Sequence, residues 1–104
     1  MTQVVWSASA IDELADIVGY ISRSDASAAE RVAGVLEGAV LALAERPVGR
    51  AGRVPGTFEK VVTNLPYIIA YALADDVEEG STLIVLHIIH TARNWPEGHW
   101  PAGR

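Results

Sequence analysis

The chain has 104 residues and half of them are hydrophobic. That excludes a disordered polypeptide and makes one domain, 1–104, the expectation. Eight Lys plus Arg stand against 13 Asp plus Glu, a net charge of −5. This balance weighs against nonspecific nucleic-acid binding, which cationic side chains drive by displacing counterions.

The absence of cysteine removes a disulfide framework and a thiolate metal site, and fits a cytoplasmic setting. No positively charged region followed by an apolar run opens the chain, so no secretory leader is expected. No apolar run approaches the roughly 20 residues of a membrane helix.

Residues 3–6, QVVW, read as a first strand. Ser7 and Ser9 offer N-caps, and Ser9 with Asp12 fits a capping box. Ile11, Leu14, Val18 and Ile21 then recur at helical spacing, with Asp12, Glu13 and Asp16 in the first turns, where the helix dipole favours negative charge. Ser27 and Glu30 form a second capping-box pattern and place the start of a second helix there. Ala29, Val32, Ala33, Leu36, Ala39, Val40 and Leu43 mark its buried stripe, and Pro47 ends it. A link this short makes an antiparallel helical hairpin. Gly34, Gly38 and Ala42 fall on one line of the second helix, and close packing of another backbone is expected on that line, within the chain rather than at a dimer seam.

RPVGRAGRVPG, 46–56, reads as a loop carrying Arg46, Arg50 and Arg53. The period then changes to two. TFEKVVT is a half-buried strand, YIIAYAL (67–73) a central strand apolar on both faces, ADDVEEGST an acidic solvated loop, and LIVLHIIH (83–90) a second two-sided strand. Helices followed by strands indicate an α+β class: a helical hairpin on one face of a small antiparallel sheet, in the order β-α-α-β-β-β. The other sheet face has no element left to cover it, and an uncovered apolar face marks a partner site.

The motifs GRVPGTFEKVV (52–62), PYIIAY (66–71) and VLHIIHTARNWPE (85–97), in this order, resemble the RelE/ParE family of bacterial type II toxins. AIDELADIVGYISRSDASAAERV (10–32) is similar to the family's N-terminal hairpin. The resemblance implies two helices on a curved antiparallel sheet, and a cognate antitoxin whose disordered segment folds onto the toxin. Within the family, RelE-like members cleave mRNA on the ribosome, whereas ParE-like members poison DNA gyrase. The motifs here are closer to ParE. Phe58 stands where family members commonly carry arginine.

Ribonuclease chemistry needs a base, an acid and a cation for the crowded phosphate. The candidates for it are Arg53, Lys60, His90 and Arg93, with Arg50, His87 and His99 as further donors of charge or protons. His87 and His90 are three apart on a strand and point to opposite faces, so they cannot share a metal. His87 reads as a core or edge histidine. Arg93 and Trp95 form the strongest pair: Trp95 as a lid on the core with Arg93 tied to an acidic residue such as Glu59, or both at an interface, where Arg and Trp are favoured.

The expectation is therefore a ParE-like toxin that inhibits DNA gyrase by protein binding, without a cofactor. Its target or antitoxin interface draws on Arg50, Arg53, Glu59, Lys60, His90, Arg93, Trp95 and Trp100. The alternatives are a ribosome-dependent endoribonuclease and a non-toxic antitoxin-binding relative.

Overall fold

A computed structural model describes residues 2–78 and 80–92. Seven elements follow in the order β1 (Gln3–Trp6), α1 (Ala8–Ser22), α2 (Ala26–Glu45), β2 (Arg50–Ala51), β3 (Phe58–Val61), β4 (Tyr67–Asp76) and β5 (Gly80–His90). The strands form one sheet in the order β1-β5-β4-β3-β2. β1 runs parallel to β5 and every other pairing is antiparallel. The α+β architecture of a helical hairpin on a sheet is as expected. The sheet is mixed, however, and gains β2 from within the Gly/Pro-rich loop, where Arg50 pairs with Glu59 and Ala51 with Phe58.

Both helices begin one residue before their capping-box serines. Ser7, not Ser9, caps α1: its hydroxyl accepts from the Ala10 N–H at 3.0 Å and donates to the Leu86 carbonyl at 2.8 Å. The same side chain thus satisfies a helix terminus and ties it to β5. Asp25 caps α2 through the Ala28 N–H at 3.0 Å. The hairpin phase of α1 is also rotated from the expected one. Ala10 is fully buried and Leu14 and Ile17 pack against the core, while Ile11 is exposed.

The core lies between the helices and one sheet face, built from Leu36, Val40 and Leu43 of α2 and from Ile69, Tyr71, Leu83, Val85 and Ile88 of the sheet. β4 and β5 continue through the acidic stretch expected to be loop, pairing as far as Asp76 with Gly80. A bulge at Ala70/Tyr71 shifts the register, so Tyr71 pairs with Val85 and Ala70 with His87.

The opposite sheet face differs from its expected bareness. Ile68, Ala70 and Ile89 are buried there. Ile68 sits beside Ile89 across the strands, and Ala70 beside Glu59 and His87. Polar side chains flank this apolar strip: Glu59 with its arginines on one side, His87 reaching Glu13 on the other. Exposed aliphatic side chains remain on this face toward its edges, at Val5 on β1 and Val61 on β3, and others lie on α2 at Val35 and Leu41 and in the following loop at Val48.

The Gly34–Gly38–Ala42 line likewise receives no backbone from the described residues at its two glycines. A Cβ built at Gly34 or at Gly38 would meet nothing within 4 Å.

Candidate functional site

Two neighbouring features surround β3. The first is a buried carboxylate. Alternation along β3 sends Glu59 to the face away from the helices and Lys60 toward them. Glu59 is only 2% exposed, and its Oε2 accepts from both the Arg53 backbone N–H and Arg53 Nε at 3.0 Å. Arg53 and Arg50 each reach Oε1 from a guanidinium Nη2 at 3.4 Å. Burial pushes the Glu59 carboxyl up. The hydrogen bonds from Arg53 and the charges of both arginines outweigh that and hold it below the ordinary glutamate range.

The loop carrying these arginines is itself built for close approach. A Cβ on Gly49 would sit 2.7 Å from the Tyr71 hydroxyl and 2.9 Å from the Glu59 carbonyl. Gly56 takes φ +83°, a backbone conformation that glycine adopts without steric penalty. Thr57 closes the turn by donating its hydroxyl to the Val54 carbonyl at 2.6 Å. Phe58, in the position where the resembling toxins carry arginine, stacks on Tyr71 with ring centroids 5.5 Å apart. It closes the edge of the core rather than presenting charge.

The second feature is an open apolar groove of about 370 Å³ between the C-terminal half of α2 and β3. Val35, Ala39 and Leu43 of α2 face Val48, Val61 and Val62 across it, and Arg46 and Lys60 border it. Val61 is 47% exposed. β2 pairs only with Phe58 and Glu59, so the outer edge of β3 beyond them has no strand neighbour among the described residues. The groove and a strand edge with unpaired backbone groups therefore adjoin.

At the far end of the sheet, His90 is exposed. Its ring meets Tyr67 edge-on at 5.4 Å, and Nδ1 accepts from the Ala92 N–H at 3.0 Å. His87 takes an edge role. Its Nδ1 lies 3.1 Å from Glu13 Oε2, and Glu13 Oε1 also accepts the Ile88 N–H at 3.0 Å. β1 pairs with β5 only as far as Val85, and the carboxylate of Glu13 takes over that edge beyond it.

A family model for the ParE toxin of type II toxin–antitoxin systems, parDE, matches residues 4–95. The chain belongs to the ParE toxin family. Within it, the chain is 38% identical over 96 residues to Y4kP, a candidate toxin of Sinorhizobium fredii, with 91% of this chain and 94% of the relative covered. It is 36% identical over 93 residues to Toxin RelE2 of Caulobacter vibrioides, covering 89% of this chain and 99% of the relative. A solved structure of a chromosomal ParDE toxin–antitoxin system from P. aeruginosa has the same fold, with a TM-score of 0.74 at 19% identity, covering 86% of this chain and 96% of that one.

The structure brings Arg50, Arg53 and Glu59 into one cluster and sets Lys60 apart on the other sheet face, in the groove. His90 stands at the end of β5, on Tyr67. The partner named for Arg93, Glu59, is bonded by Arg50 and Arg53. Arg93, Trp95, His99 and Trp100 lie outside the described residues. The groove residues Val35, Val48 and Val61 were not singled out by sequence. A signal for two of them exists: Val35 falls off the buried stripe of α2, and Val61 is an apolar residue on the outer phase of a strand.

Proposed function

We propose that this ParE-family chain is a toxin that inhibits DNA gyrase by binding it, and that a cognate antitoxin neutralises it by laying a segment into the α2–β3 groove. The groove carries the reading. It offers apolar depth for the aliphatic side chains of a partner and a strand edge for its backbone, the two components of β-augmentation. Two of the eight cationic residues of this acidic chain, Arg46 and Lys60, border it. An acidic, amphipathic segment of the partner suits that border.

The gyrase half of the reading rests on the family. The geometry is in keeping with binding rather than phosphodiester chemistry. Arg53 is engaged by Glu59, Lys60 lies on the opposite sheet face, and His90 is held at the end of β5 against Tyr67. Arg53 is therefore on one sheet face, while Lys60 and His90 are on the other with β4 between their strands.

Purified chain added to a supercoiling assay should inhibit gyrase or trap cleaved DNA, and the antitoxin should reverse this. Cutting of ribosome-bound message at discrete sites, with gyrase untouched, would overturn the reading in favour of a nuclease. Val48→Asp should lower antitoxin affinity at least ~10-fold by placing a charge on an apolar contact. Folding should be retained, because Val48 is half exposed. Unchanged antitoxin affinity in that variant would remove the groove from the account.

A further inference from the structure

The outward face of α2 is the reverse of what a solvated helix carries. An amphipathic surface helix presents charged and polar residues opposite its buried stripe. In α2 the buried stripe is Ala29, Leu36, Val40 and Leu43. Opposite it lie Gly34, Val35, Gly38, Leu41 and Ala42, all exposed. Each falls within roughly 60° of Gly38 around the axis, at about 100° per residue. Val35 is 46% and Leu41 62% exposed, so two large aliphatic side chains flank a flat floor where water would otherwise be expected to meet charge. Charged residues bound this face at its two ends, Arg31 at one and Glu45 at the other, and neither makes an ion pair among the described residues.

The spacing of these residues is symmetric about Gly38. Val35 and Leu41 lie three residues to either side, Gly34 and Ala42 four, Arg31 and Glu45 seven. We infer that this face binds a second copy of the chain, with the two α2 helices antiparallel and crossing at Gly38 on a two-fold axis. That arrangement sets Val35 against the partner copy's Leu41 and Gly34 against its Ala42. It sets Arg31 against its Glu45, twice by symmetry. Antiparallel helices also oppose their dipoles favourably. The glycines permit backbone approach, while the apolar flanks and paired end charges supply the attraction and fix the direction. A parallel pairing would instead place Arg31 on Arg31 and Glu45 on Glu45. A single helix pair is a small interface, below roughly 1,200 Å², so association is expected to depend on concentration in about the micromolar range.

This inference does not depend on gyrase or on an antitoxin. It does carry a consequence for the groove, because Val35, Ala42 and Arg46 also line that cavity. A groove occupant and the second copy would compete for one side of α2.

The chain contains no cysteine, so single cysteines report the register directly. In Gly38→Cys the two thiols meet at the axis, and the variant should form a disulfide-linked dimer under mild oxidation. In Arg31→Cys the two thiols are about 20 Å apart in the antiparallel pair and should not link, since 14 residues of helix separate 31 from 45 at about 1.5 Å each. Sedimentation of the unmodified chain should show its 11.1 kDa mass doubling as concentration rises. Arg31→Glu should weaken association about five-fold through two exposed charge pairs, and the double variant Arg31→Glu/Glu45→Arg should restore it. Gly38→Gln, whose Cβ meets nothing within 4 Å in the monomer, should keep the fold by circular dichroism and abolish the dimer. A chain that stays at one mass up to hundreds of micromolar overturns the inference. So does linkage at position 31 as fast as at position 38, or a dimer indifferent to Gly38→Gln.

Discussion

Replacing Arg53 with alanine leaves the Glu59 carboxylate, 2% exposed, with the backbone N–H of residue 53 and the Arg50 guanidinium at 3.4 Å. Removing one partner from a buried ion pair costs about 3–5 kcal/mol, because the other charge stays desolvated. Here the remaining backbone bond and the 27% exposure of Arg53 lower the expected loss to about 2–3 kcal/mol. The Arg50 side chain is 60% exposed, so Arg50→Ala should cost under ~1 kcal/mol. Urea unfolding at pH 7, with an unchanged m-value, measures both. Acid provides a second readout. The Glu59 carboxyl is held below its reference value of 4.5 in the folded chain. The stability it contributes is therefore full above about pH 4.5 and is lost as pH falls through the lower folded value. The gap between wild type and Arg53→Ala should accordingly narrow in that acid window. The reasoning fails if Arg50→Ala costs as much as Arg53→Ala, or if the gap is constant from pH 7 into the acid range.

Ser7→Ala removes both an N-cap and the hydroxyl donor to Leu86, and should cost about 1–2 kcal/mol in thermal or urea unfolding; a neutral outcome would mean that the cap is solvated equally well by water. Glu13→Ala should cost about 1–3 kcal/mol by orphaning the Ile88 N–H, with amide exchange at Ile88 accelerating more than at Ile69. Gly49→Ala should destabilise by about 1–3 kcal/mol, since its Cβ meets the Glu59 backbone carbonyl, which cannot swing away as a side chain would; an unchanged midpoint would show that this loop moves freely.

Much of the fold was legible because apolar periodicity is a strong signal. The stripe Leu36, Val40, Leu43 and the two-sided strands appear in the structure where the spacing put them. The caps were legible in part: Ser7 was offered beside Ser9, whereas Asp25 was passed over for Ser27, because a capping-box pattern weighs local spacing alone. Ser7 is chosen by its second bond to Leu86, a residue 79 positions away that no local pattern reveals. β2 was hidden for a similar reason: two residues of strand inside a Gly/Pro-rich loop carry no periodicity, and Arg50 joins the sheet through Glu59. The arginines and Glu59 were singled out by type, but their pairing with one another was not, because it depends on β2 docking on β3. The groove was the least legible feature. It arises where α2 and β3, distant in sequence, splay apart.

The first and last strands described are hydrogen-bonded neighbours, with Gln3 opposite Thr82. β1 therefore has no place to dock until β5 has left the ribosome, and the α1 cap waits with it for Leu86. Such long-range closure slows folding. A cell making this protein thus has an interval, set by synthesis of β5 and the docking of β1 beside it, in which the newborn chain is not yet a finished molecule.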